Sequence, residues 1–570
     1  MSGLAEVRDP ARLGILANRV DGVVRKMANT LLRTGRSGVL NRARDFSCCI
    51  VTADGHLLSS ADSLPIHVLS GPDLMAEAMV RFQPDLAPGD AFLNNSAYHG
   101  CSHPADHTLL APVFDGMGRH RYTVLVKAHQ ADIGNSTPTT YFAAARDVYE
   151  EGALIFPSVQ VQRDYEDIAD FIRMCEARIR VPEQWRGDYA AMVGSARIGE
   201  RELKALGEEI GWDELAAFCG SWFEYSERRM AAALRRLPNA VASRVSIHDP
   251  FPGTPSDGVP VRVIVRVQPE AGSIEVDLTD NLDCLPCGLN LSEACARTSA
   301  MLGVFNSIDG DVPKNAGAFR RISVRLRENC VVGIPRHPHS CSAATTNLAD
   351  RVANCVQAAL AEIGDGIGMA EYGAPIPATS PVISGVDPRN GKAYVNQMFL
   401  GGTSAPGRPG ADAWLTGLHV GNAGLGFIDS VELSELYHPL HVAHRRLVRD
   451  SEGAGRFCGA PSLSVEYGPV GGWMDIAYVS DGNLNPAQGV RGGGVGGPAD
   501  QWIRHADGTL ERLPQAAQVR VQPGEFVIAT CNGGGGYGPP RERDRQAVRR
   551  DLEAGLLSSE RAAAVYGFET

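Results

Sequence analysis

The most informative stretch of this sequence runs from residue 98 to residue 133 and reads YHGCSHPADHTLLAPVFDGMGRHRYTVLVKAHQADI. Residues 108–114 and 121–128 are rich in β-branched, aromatic and aliphatic side chains. Between them lies DGMGR (115–119), in which glycine and aspartate favour a tight turn. The pattern therefore predicts a β-hairpin whose open end carries the polar residues on either side of it.

The register of this hairpin brings three side chains together. If the turn centres on residues 116–117 or one residue later, antiparallel pairing places His129 opposite residues 104–106, between His103 and Asp106. Two imidazoles and a carboxylate form a ligand set that holds a catalytic transition metal while leaving coordination positions open. The segment thus predicts a metal site at His103, Asp106 and His129.

Other residues compete for this role. Asp132 is an alternative carboxylate, or orients His129 from outside the ligand set. His99 and His107 also lie close in sequence to the predicted ligands. A histidine buried in a protein core is more often a hydrogen-bonded structural residue than a metal ligand, so proximity in the fold has to decide between them.

Composition limits the class of protein. The chain has 570 residues, 44% of them hydrophobic and 21% charged, with a formal net charge of −12, which is typical of a globular protein and argues against nucleic acid as a partner. No stretch approaches the roughly 20 apolar residues of a membrane span, and the amphipathic N-terminus is unlike a signal peptide. Thirteen scattered cysteines suit a reduced compartment. We expect a cytoplasmic protein.

The pattern along the chain indicates four blocks. Residues 1–162 form an α/β lobe with the metal site, and 163–237 form a helical segment with charged faces. Residues 238–540 form a lobe rich in strands and glycine, and 541–570 form C-terminal helices. The expected fold is α+β, with β-rich lobes around a mixed sheet and a helical insertion.

Several catalytic motifs are absent from the sequence. It contains no GxxxxGK[ST] for a Walker-type ATP site, no HExxH for a metalloprotease and no GxSxG for a serine hydrolase. The chemistry is therefore metal-centred or shared with another polypeptide. Two further hypotheses remain at this stage: an iron oxygenase, whose carboxylate usually follows the first histidine more closely, and a non-catalytic scaffold subunit.

Six blocks carry a resemblance to a known family. They are RDFSCCIVTADGHLLS (44–59), LPIHVLSG (64–71), YHGCSHPADHTLLAPVF (98–114), KAHQADIG (127–134), DSEGAGRFCGAPS (450–462) and NGGGGYGPPRERD (532–544). In this order they resemble the hydantoinase B/oxoprolinase family over essentially the whole chain. That family includes the B subunits of N-methylhydantoinases, the C-terminal half of 5-oxoprolinases and the α subunit of acetone carboxylases.

The resemblance implies roles for particular residues. In acetone-carboxylase-like members a His-x-x-Asp pair and a later histidine hold a metal, and these positions fall on His103, Asp106 and His129. Manganese, zinc and iron are the metals to consider. Asp45 and His67 match further blocks and, with His99, are the candidates for a catalytic base.

Three positions depart from the family pattern. Ser96 stands where an aspartate is usual, Cys101 replaces a glycine, and Gln130 replaces the second of two adjacent histidines. All three lie next to the predicted ligands, which are themselves retained. The departures therefore concern substrate contacts more than metal binding.

The resemblance also implies a two-component reaction. A hydantoinase A/oxoprolinase-type ATPase subunit would use ATP to phosphorylate a substrate oxygen, and this chain would then open a cyclic amide or imide of the hydantoin or 5-oxoproline type. A metal at the triad would lower the pKa of the attacking water. The alternative is the α-type subunit of an ATP-dependent carboxylase of acetone-like or acetophenone-like ketones. Both imply a hetero-oligomer that acts on a small molecule.

Overall fold

The structure is a computed structural model that describes residues 9–61, 63–373 and 377–569. Residues 1–8 and 570, at the two ends of the expected 1–570 span, lie outside the described residues. The helices are α1 (Pro10–Thr34), α2 (Gly38–Asn41), α3 (Pro65–Val68), α4 (Pro72–Phe82), α5 (Val148–Glu151), α6 (Ala169–Arg178), α7 (Pro182–Ile210), α8 (Trp212–Leu234), α9 (Glu293–Phe305), α10 (Ala316–Phe319), α11 (Leu348–Ile363), α12 (Val431–Tyr437), α13 (Arg545–Glu553) and α14 (Ser559–Tyr566).

Twenty strands are distributed over four sheets in the described part of the chain. The strands are β1 (Phe46–Thr52), β2 (Leu57–Ser60), β3 (Ala91–Asn94), β4 (Asp106–Phe114), β5 (His120–His129), β6 (Val159–Arg163), β7 (Glu166–Asp167), β8 (Ala240–His248), β9 (Val259–Gln268), β10 (Ser273–Asp277), β11 (Ile322–Arg325), β12 (Val382–Val386), β13 (Ala393–Gln397), β14 (Leu440–Leu447), β15 (Leu463–Pro469), β16 (Met474–Val479), β17 (Asp500–Arg504), β18 (Leu510–Arg512), β19 (Ala516–Val521) and β20 (Phe526–Thr530).

The first sheet is antiparallel and has the strand order β2-β1-β5-β4-β3-β6-β7. Its central strands are buried on both faces. One face packs against α1 and α7, and the other contacts α4. Cys48 and Cys49 illustrate this arrangement, because adjacent residues of a strand point to opposite faces. Cys48 packs with the α1 and α7 side chains, whereas Cys49 packs with Met75 and Met79 of α4.

The β4–β5 hairpin has the predicted register. Asp106 pairs directly with His129, and the pairing continues to Val113 opposite Tyr122. The Asp115 carboxylate accepts hydrogen bonds from the backbone N–H groups of Met117 and Arg119, which closes the turn. Both strands extend beyond the predicted runs, so that Asp106 and His129 lie on the strands themselves. Their side-chain directions are therefore fixed by the sheet.

The predicted helical insertion is confirmed. Helices α6, α7 and α8 occupy most of residues 163–237, and α7 begins with Pro182, whose ring suits the first helical turn. The apolar side of α7 packs against α1 and against β4 and β5. Its buried residues include Trp185, Tyr189 and Met192. The insertion thus covers the back of the hairpin and stiffens it.

The remaining lobe supplies the mixed sheet. In the order β11-β10-β9-β8, β10 pairs in parallel with β11, while the other neighbours are antiparallel. Helices α9 and α11 pack together, and α11 also lies against β8 and β9. Two further sheets, β13-β12-β16-β19 and β14-β15-β20-β17-β18, complete the strand-rich region. The α+β fold expected from the sequence is confirmed.

Three glycine-rich segments, residues 453–459, 489–497 and 533–538, lie side by side in this lobe. Their backbones are joined directly: Gly453 N–H donates to the Gly534 carbonyl at 2.9 Å, and Gly536 N–H donates to the Gly494 carbonyl at 2.9 Å. A Cβ atom added at Gly534 would collide with the carbonyl of Ala405, and one at Gly536 with that of Ala454. The glycines are thus required by close backbone packing.

Two remaining expectations concern cysteines and membranes. All thirteen cysteines are free, and twelve of them are buried. Within the described ranges, none of the helices has the length and apolar character needed to cross a membrane.

Candidate metal centre

The side chains of His103, Asp106 and His129 converge at the open end of the β4–β5 hairpin. His103 Nε2 lies 3.3 Å from His129 Nδ1, and each of these nitrogens lies 3.2 Å from Asp106 Oδ1. All three residues are buried. His103 belongs to the loop before β4, while the other two are the paired end residues of β4 and β5. The three atoms form a nearly equilateral triangle.

The outward-facing atoms of the triad are held by the surrounding chain. His103 Nδ1 donates a hydrogen bond to the Ser342 carbonyl at 2.8 Å, because a carbonyl can only accept. In the neutral ring the proton is therefore on Nδ1, and Nε2 presents its lone pair to Asp106 and His129. His129 Nε2 lies 3.2 Å from Thr140 Oγ1. Hydrogen bonds to the outer nitrogens are the usual means of fixing histidine ligands.

The carboxylate of Asp106 is oriented in the same way. Ser102 Oγ donates to Asp106 Oδ2, and Lys127 Nζ donates to Ser102 Oγ at 2.8 Å. Burial by itself would raise the pKa of Asp106, but the neighbouring histidines outweigh it, and the pKa lies well below its ordinary value. Asp106 is therefore ionised, with Oδ1 left free to face the two imidazole nitrogens.

The geometry of the triangle fits a divalent cation. With metal–ligand distances of about 2.1 Å, edges of 3.2 and 3.3 Å correspond to ligand–metal–ligand angles of about 100°. That value lies between the angles of tetrahedral and octahedral coordination, and three such ligands occupy one side of the ion. Three lone pairs so close together repel one another unless a cation or a proton lies between them. The donor set suits manganese, zinc or iron.

Asp45 and His67 lie beside the triad, as the sequence blocks predict. His67 Nε2 is 3.3 Å from Asp106 Oδ2 and 3.6 Å from Asp45 Oδ1, and its Nδ1 is 3.1 Å from Ser47 Oγ. The Asp45 carbonyl accepts the His129 N–H at 3.1 Å, which anchors Asp45 at the end of β5. Burial lowers the pKa of His67 to about 3, so this ring is neutral. Burial also raises the pKa of Asp45.

The other histidines of the segment have different surroundings. His99 lies in a short 3-10 turn, where its Nδ1 is 2.8 Å from Ser96 Oγ and its ring packs against Phe82. His107 follows Asp106 on β4 and therefore faces the opposite side of the sheet, where its ring meets Phe156 edge-on. Within the described residues, neither histidine hydrogen-bonds to the triad.

Asp132, the alternative carboxylate, makes its contacts away from the triad. It forms an ion pair with Arg180 Nη1 at 3.0 Å and accepts the backbone N–H groups of Arg180 and Gly134. These contacts tie the segment after β5 to the loop between α6 and α7 of the helical insertion. The structure therefore favours Asp106 over Asp132 as the carboxylate of the site.

The three departures from the family pattern contact the backbone or side chains around the ligands. Ser96 Oγ forms a hydrogen bond with His99 Nδ1. The Cys101 thiol lies 3.1 Å from the Asp106 carbonyl, and the Gln130 side-chain amide donates to the Ala128 carbonyl at 3.1 Å. None of these side-chain contacts reaches a ligand atom of the triangle. The substitutions thus alter the frame of the site and leave its donor atoms unchanged.

Apart from Asp45 and His67, sequence reasoning did not identify the residues that surround the triad. Tyr141 stacks on both His103 and His129, at centroid distances of 5.4 and 5.5 Å. Lys127 precedes His129 by two residues on β5, so strand alternation alone could have placed it on the same face. Ser342 and Thr140 lie in segments where no short sequence pattern predicts a contact with the triad. They reach the site only through tertiary packing.

A second buried pair, His419 and Asp350, was also missed. His419 Nδ1 donates to Asp350 Oδ1 at 3.0 Å, and Asp350 lies in the first turn of α11. His419 precedes a short 3-10 turn, 420–422, that contacts α3, the turn carrying His67. The pair comes from parts of the chain more than 200 residues beyond the triad, and no spacing pattern links them to it.

Comparison with known proteins identifies the family of this chain. The fold carries a buried His–Asp–His cluster on an antiparallel sheet, next to a strand- and glycine-rich lobe. The model of the Hydantoinase B/oxoprolinase family matches residues 9–540. The chain belongs to this family, as the sequence blocks predicted.

Two relatives align with nearly the whole chain. The caprolactamase beta subunit of Pseudomonas jessenii is 28% identical over 566 residues, covering 98% of this chain and 96% of that protein. A putative D-/L-hydantoinase B subunit of a Pseudomonas species is 26% identical over 590 residues, covering 98% and 95%. Both are named as one component of a larger enzyme.

Two solved structures share the fold. The crystal structure of the ATP-dependent caprolactamase from Pseudomonas jessenii superposes with a TM-score of 0.88 at 25% identity, covering 99% of this chain and 96% of that one. A nucleotide-free structure of acetone carboxylase gives a TM-score of 0.84 at 16% identity, covering 98% and 80%. The second likeness concerns the fold alone.

Proposed function

We propose that this chain is the B-type subunit of an ATP-dependent amidohydrolase that opens a cyclic amide or imide. The ring would be of the hydantoin or 5-oxoproline type, or a simple lactam as in the related caprolactamase. The observation that carries the proposal is the buried triangle of His103 Nε2, Asp106 Oδ1 and His129 Nδ1, whose outer atoms are all held by hydrogen bonds. A scaffold subunit has no need of such a preorganised ligand set.

The three ligand side chains would hold a divalent transition metal, namely manganese, zinc or iron. When bound, the ion supplies a Lewis acid that polarises a substrate oxygen or makes a water molecule more acidic. The chain contributes a fixed geometry with one open side. Ser102 and Lys127 keep the carboxylate of Asp106 correctly turned, and the neighbouring histidines keep it ionised.

Activation of the substrate belongs to a partner in this proposal. An amide carbonyl is a poor electrophile, and phosphorylation of its oxygen makes the carbon easier to attack and provides a leaving group. An A-type ATPase subunit of the hydantoinase A/oxoprolinase kind would perform that step with ATP. The names of the two relatives, each a subunit of its enzyme, support a hetero-oligomer of this type.

Within this chain, Asp45 is the base that accepts the proton of the attacking water. It lies beside the triad and is the more exposed of the two flanking groups, at 9% against 2% for His67. His67 has both ring nitrogens engaged: Ser47 Oγ donates to Nδ1, and Nε2 faces the two carboxylates. His67 is thus a positioning residue that holds Asp45 near Asp106. In the described part of the chain the His99 ring contacts Ser96 and Phe82, and we assign it no role in proton transfer.

The test of this function is an assay with both subunits. The chain is co-expressed with its A-type partner, and the purified complex is incubated with ATP and a panel of hydantoin, 5-oxoproline and lactam rings. We expect ring opening coupled to ADP formation, and loss of ring opening when either subunit is omitted. A complex that opens none of these rings at any added metal would contradict the proposal.

The alternative function is ATP-dependent carboxylation of a ketone. The resemblance to the α subunits of acetone carboxylases implies it, whereas the fold shared with acetone carboxylase says nothing about substrate. The same assay separates the two reactions. If ATP hydrolysis by the complex requires both bicarbonate and a ketone, the chain is a carboxylase subunit and the amidohydrolase proposal is wrong.

A further inference from the structure

The side chain of Gln397 ends in a carboxamide that is buried and largely unpaired. Gln397 is the last residue of β13, is 0% exposed and pairs with Val382 of β12, so the sheet fixes its position. A carboxamide has two N–H donors and an oxygen with two lone pairs. Among the described residues, only the Tyr141 hydroxyl interacts with these groups. One hydroxyl satisfies one of them and leaves the others without a partner.

An unpaired carboxamide in the interior is a cost to the fold. Buried amide groups without a hydrogen-bond partner are destabilising, and most of them are paired in natural structures. Gln501, another buried glutamine of the strand-rich region, shows the usual case. Its Nε2 donates to the Thr530 carbonyl at 3.2 Å, and its Oε1 accepts the Ala378 N–H at 3.2 Å. The contrast indicates that the carboxamide of Gln397 is kept for a ligand.

Tyr141 connects Gln397 to the triad. The Tyr141 ring stacks on both histidines of the triad, and its hydroxyl interacts with Gln397. The hydroxyl also lies near the carboxylates of Asp45 and Asp106. The carboxamide is therefore separated from the histidine rings by one tyrosine side chain, on the side where the two carboxylates lie.

Packing of neighbouring residues gives the same placement independently. Phe399, two residues after Gln397, packs against Ala43 and Leu418. Ala43 is two residues before Asp45, in the segment that leads into β1. The end of β13 thus lies against the segment that carries Asp45, although the two are more than 350 residues apart in the sequence.

We propose that the Gln397 carboxamide binds the ring nitrogen of the substrate and thereby selects cyclic amides and imides, with Tyr141 as its positioning residue. This inference rests on the proposed amidohydrolase function and deepens it. In a ring phosphorylated on its oxygen, the nitrogen is part of a C=N bond and accepts a hydrogen bond, which Nε2–H supplies. Once water has added to the carbon, the nitrogen carries a proton, which it donates to Oε1. A carboxamide serves both states because it has a donor and an acceptor.

This contact distinguishes cyclic amides from other rings and from ketones. A ketone activated as an enol phosphate presents a carbon where the amide has its nitrogen, and carbon neither accepts nor donates such a bond. A lactone presents a ring oxygen, which accepts but cannot donate. A site built to hydrogen-bond a substrate group rejects analogues that lack it, because its own buried groups are then left unpaired.

The first test measures what the carboxamide does for the fold. Gln397→Met has a side chain of similar size without the polar groups. Because these groups are unpaired in the fold, the thermal midpoint of the complex with the A-type subunit should be unchanged or higher, and its metal content unchanged. A midpoint several degrees below wild type would show that the carboxamide is structural and would overturn the assignment.

The second test follows the phosphorylated ring in the same complexes. A ring that is not held is released and loses its phosphate to water. The water oxygen bonds to phosphorus, the bond from phosphorus to the ring oxygen breaks, one water proton goes to the ring nitrogen and the other stays on the phosphate. The cyclic amide is regenerated, so ATP is consumed without ring opening.

In Gln397→Met, kcat/KM for opening of a lactam should fall about tenfold, and the amount of ADP formed per opened ring should rise. A smaller fraction of folded protein would lower both products together and leave their ratio unchanged. Tyr141→Phe keeps the stacked ring and removes the hydroxyl, and should shift the ratio in the same direction by a smaller factor. Gln268→Met is the matched control, because Gln268 is also the last residue of a strand but is exposed.

An unchanged rate and an unchanged ratio of ADP to product in Gln397→Met would remove the role of Gln397. A lower rate at an unchanged ratio would make its effect structural. If the wild-type complex opens none of the rings, this assignment is lost together with the proposed function. If the wild type opens them and Gln397→Met does so equally well, only the assignment is wrong.

Discussion

The seven-stranded sheet and the three glycine-rich segments are both densely packed, but by different means. Side chains fill the space around the sheet, whereas backbone packs directly against backbone in the glycine-rich segments. In the sheet, the backbone register sets the position of functional side chains such as Asp106 and His129. In segments 453–459, 489–497 and 533–538, the backbones themselves are in contact, and side chains are absent where the chains cross. The segments that flank β4 and β5 can therefore vary their side chains, as Cys101 and Gln130 show, whereas the crossing glycines cannot change.

Mutations in the two regions should therefore act differently. A substitution in the triad should remove chemistry while leaving the fold intact, because the ligands lie at the end of a hairpin covered by α7. A substitution at a crossing glycine should damage stability first, because a new Cβ atom has nowhere to go.

The largest effect is expected for replacement of a ligand. His103→Ala or Asp106→Asn should lower metal content to near zero and activity by more than about 100-fold. Loss of a residue that only hydrogen-bonds to a ligand typically lowers metal affinity or activity by about 10–100-fold, and loss of the ligand itself should cost more. Metal per chain is measured by elemental analysis and activity with the two-subunit assay. His120→Ala is the control, because His120 lies on the same strand as His129 and contacts Thr123 at 2.9 Å. If the ligand variants keep their metal, the triad is not the site.

The next effect concerns stability. Gly534→Ala should lower the free energy of unfolding by about 3 kcal/mol, because its Cβ would overlap the Ala405 carbonyl in a backbone network that cannot shift. Gly220→Ala is the matched control, since Gly220 lies within α8 with no atom within 4 Å of its added Cβ. There alanine should stabilise the helix by about 0.5–1 kcal/mol. Thermal unfolding of the two variants measures both, and equal midpoints would refute the contrast.

A smaller effect on metal affinity is expected for Ser102, which hydrogen-bonds to the Asp106 carboxylate. Ser102→Ala removes the donor to Asp106 Oδ2 and leaves Lys127 Nζ without its acceptor. Metal affinity should fall by about 10–100-fold, with the fold retained. Titration of the metal-free protein gives the affinity. Ser96→Ala is the control, because its hydroxyl bonds to His99 and to no ligand. Unchanged affinity in Ser102→Ala would show that Asp106 needs no such support.

The smallest effect on metal binding is predicted for Asp132. Asp132→Asn should keep full metal content, because the Asp132 carboxylate is bonded to Arg180 and to the backbone of residue 134. Stability should fall by about 1–3 kcal/mol, because a buried charge-assisted contact is weakened. Elemental analysis beside Asp106→Asn decides between the two carboxylates. Metal loss in Asp132→Asn would reverse the assignment.

The sequence predicts the parts of the site that depend on local geometry. The turn residues 115–119 and the alternation of β4 and β5 determine which residues face each other, so the triad follows from one hairpin. Asp45 and His67 were found only by resemblance of sequence blocks. The His419–Asp350 pair and the Ser342 carbonyl depend on how distant lobes pack, and no short-range pattern records such packing.

In the fold, too, local sequence patterns predict single elements but not the contacts between distant segments. The helical insertion and the hairpins follow from periodicity and turn residues, and they are present as expected. The glycine-rich segments indicated only tight turns or close approaches. Their mutual hydrogen bonds, such as Gly453 to Gly534, join residues about 80 positions apart and depend on the whole lobe.

The central claim is that two imidazoles and one carboxylate of this chain hold a divalent metal. X-ray absorption spectroscopy of the complex loaded with manganese, zinc or iron tests it most directly. We predict two histidine nitrogens and one carboxylate oxygen in the first coordination shell, at about 2.0–2.2 Å, and loss of this signal in His103→Ala. A shell containing sulfur, or one unchanged by the substitution, would contradict the assignment of His103, Asp106 and His129.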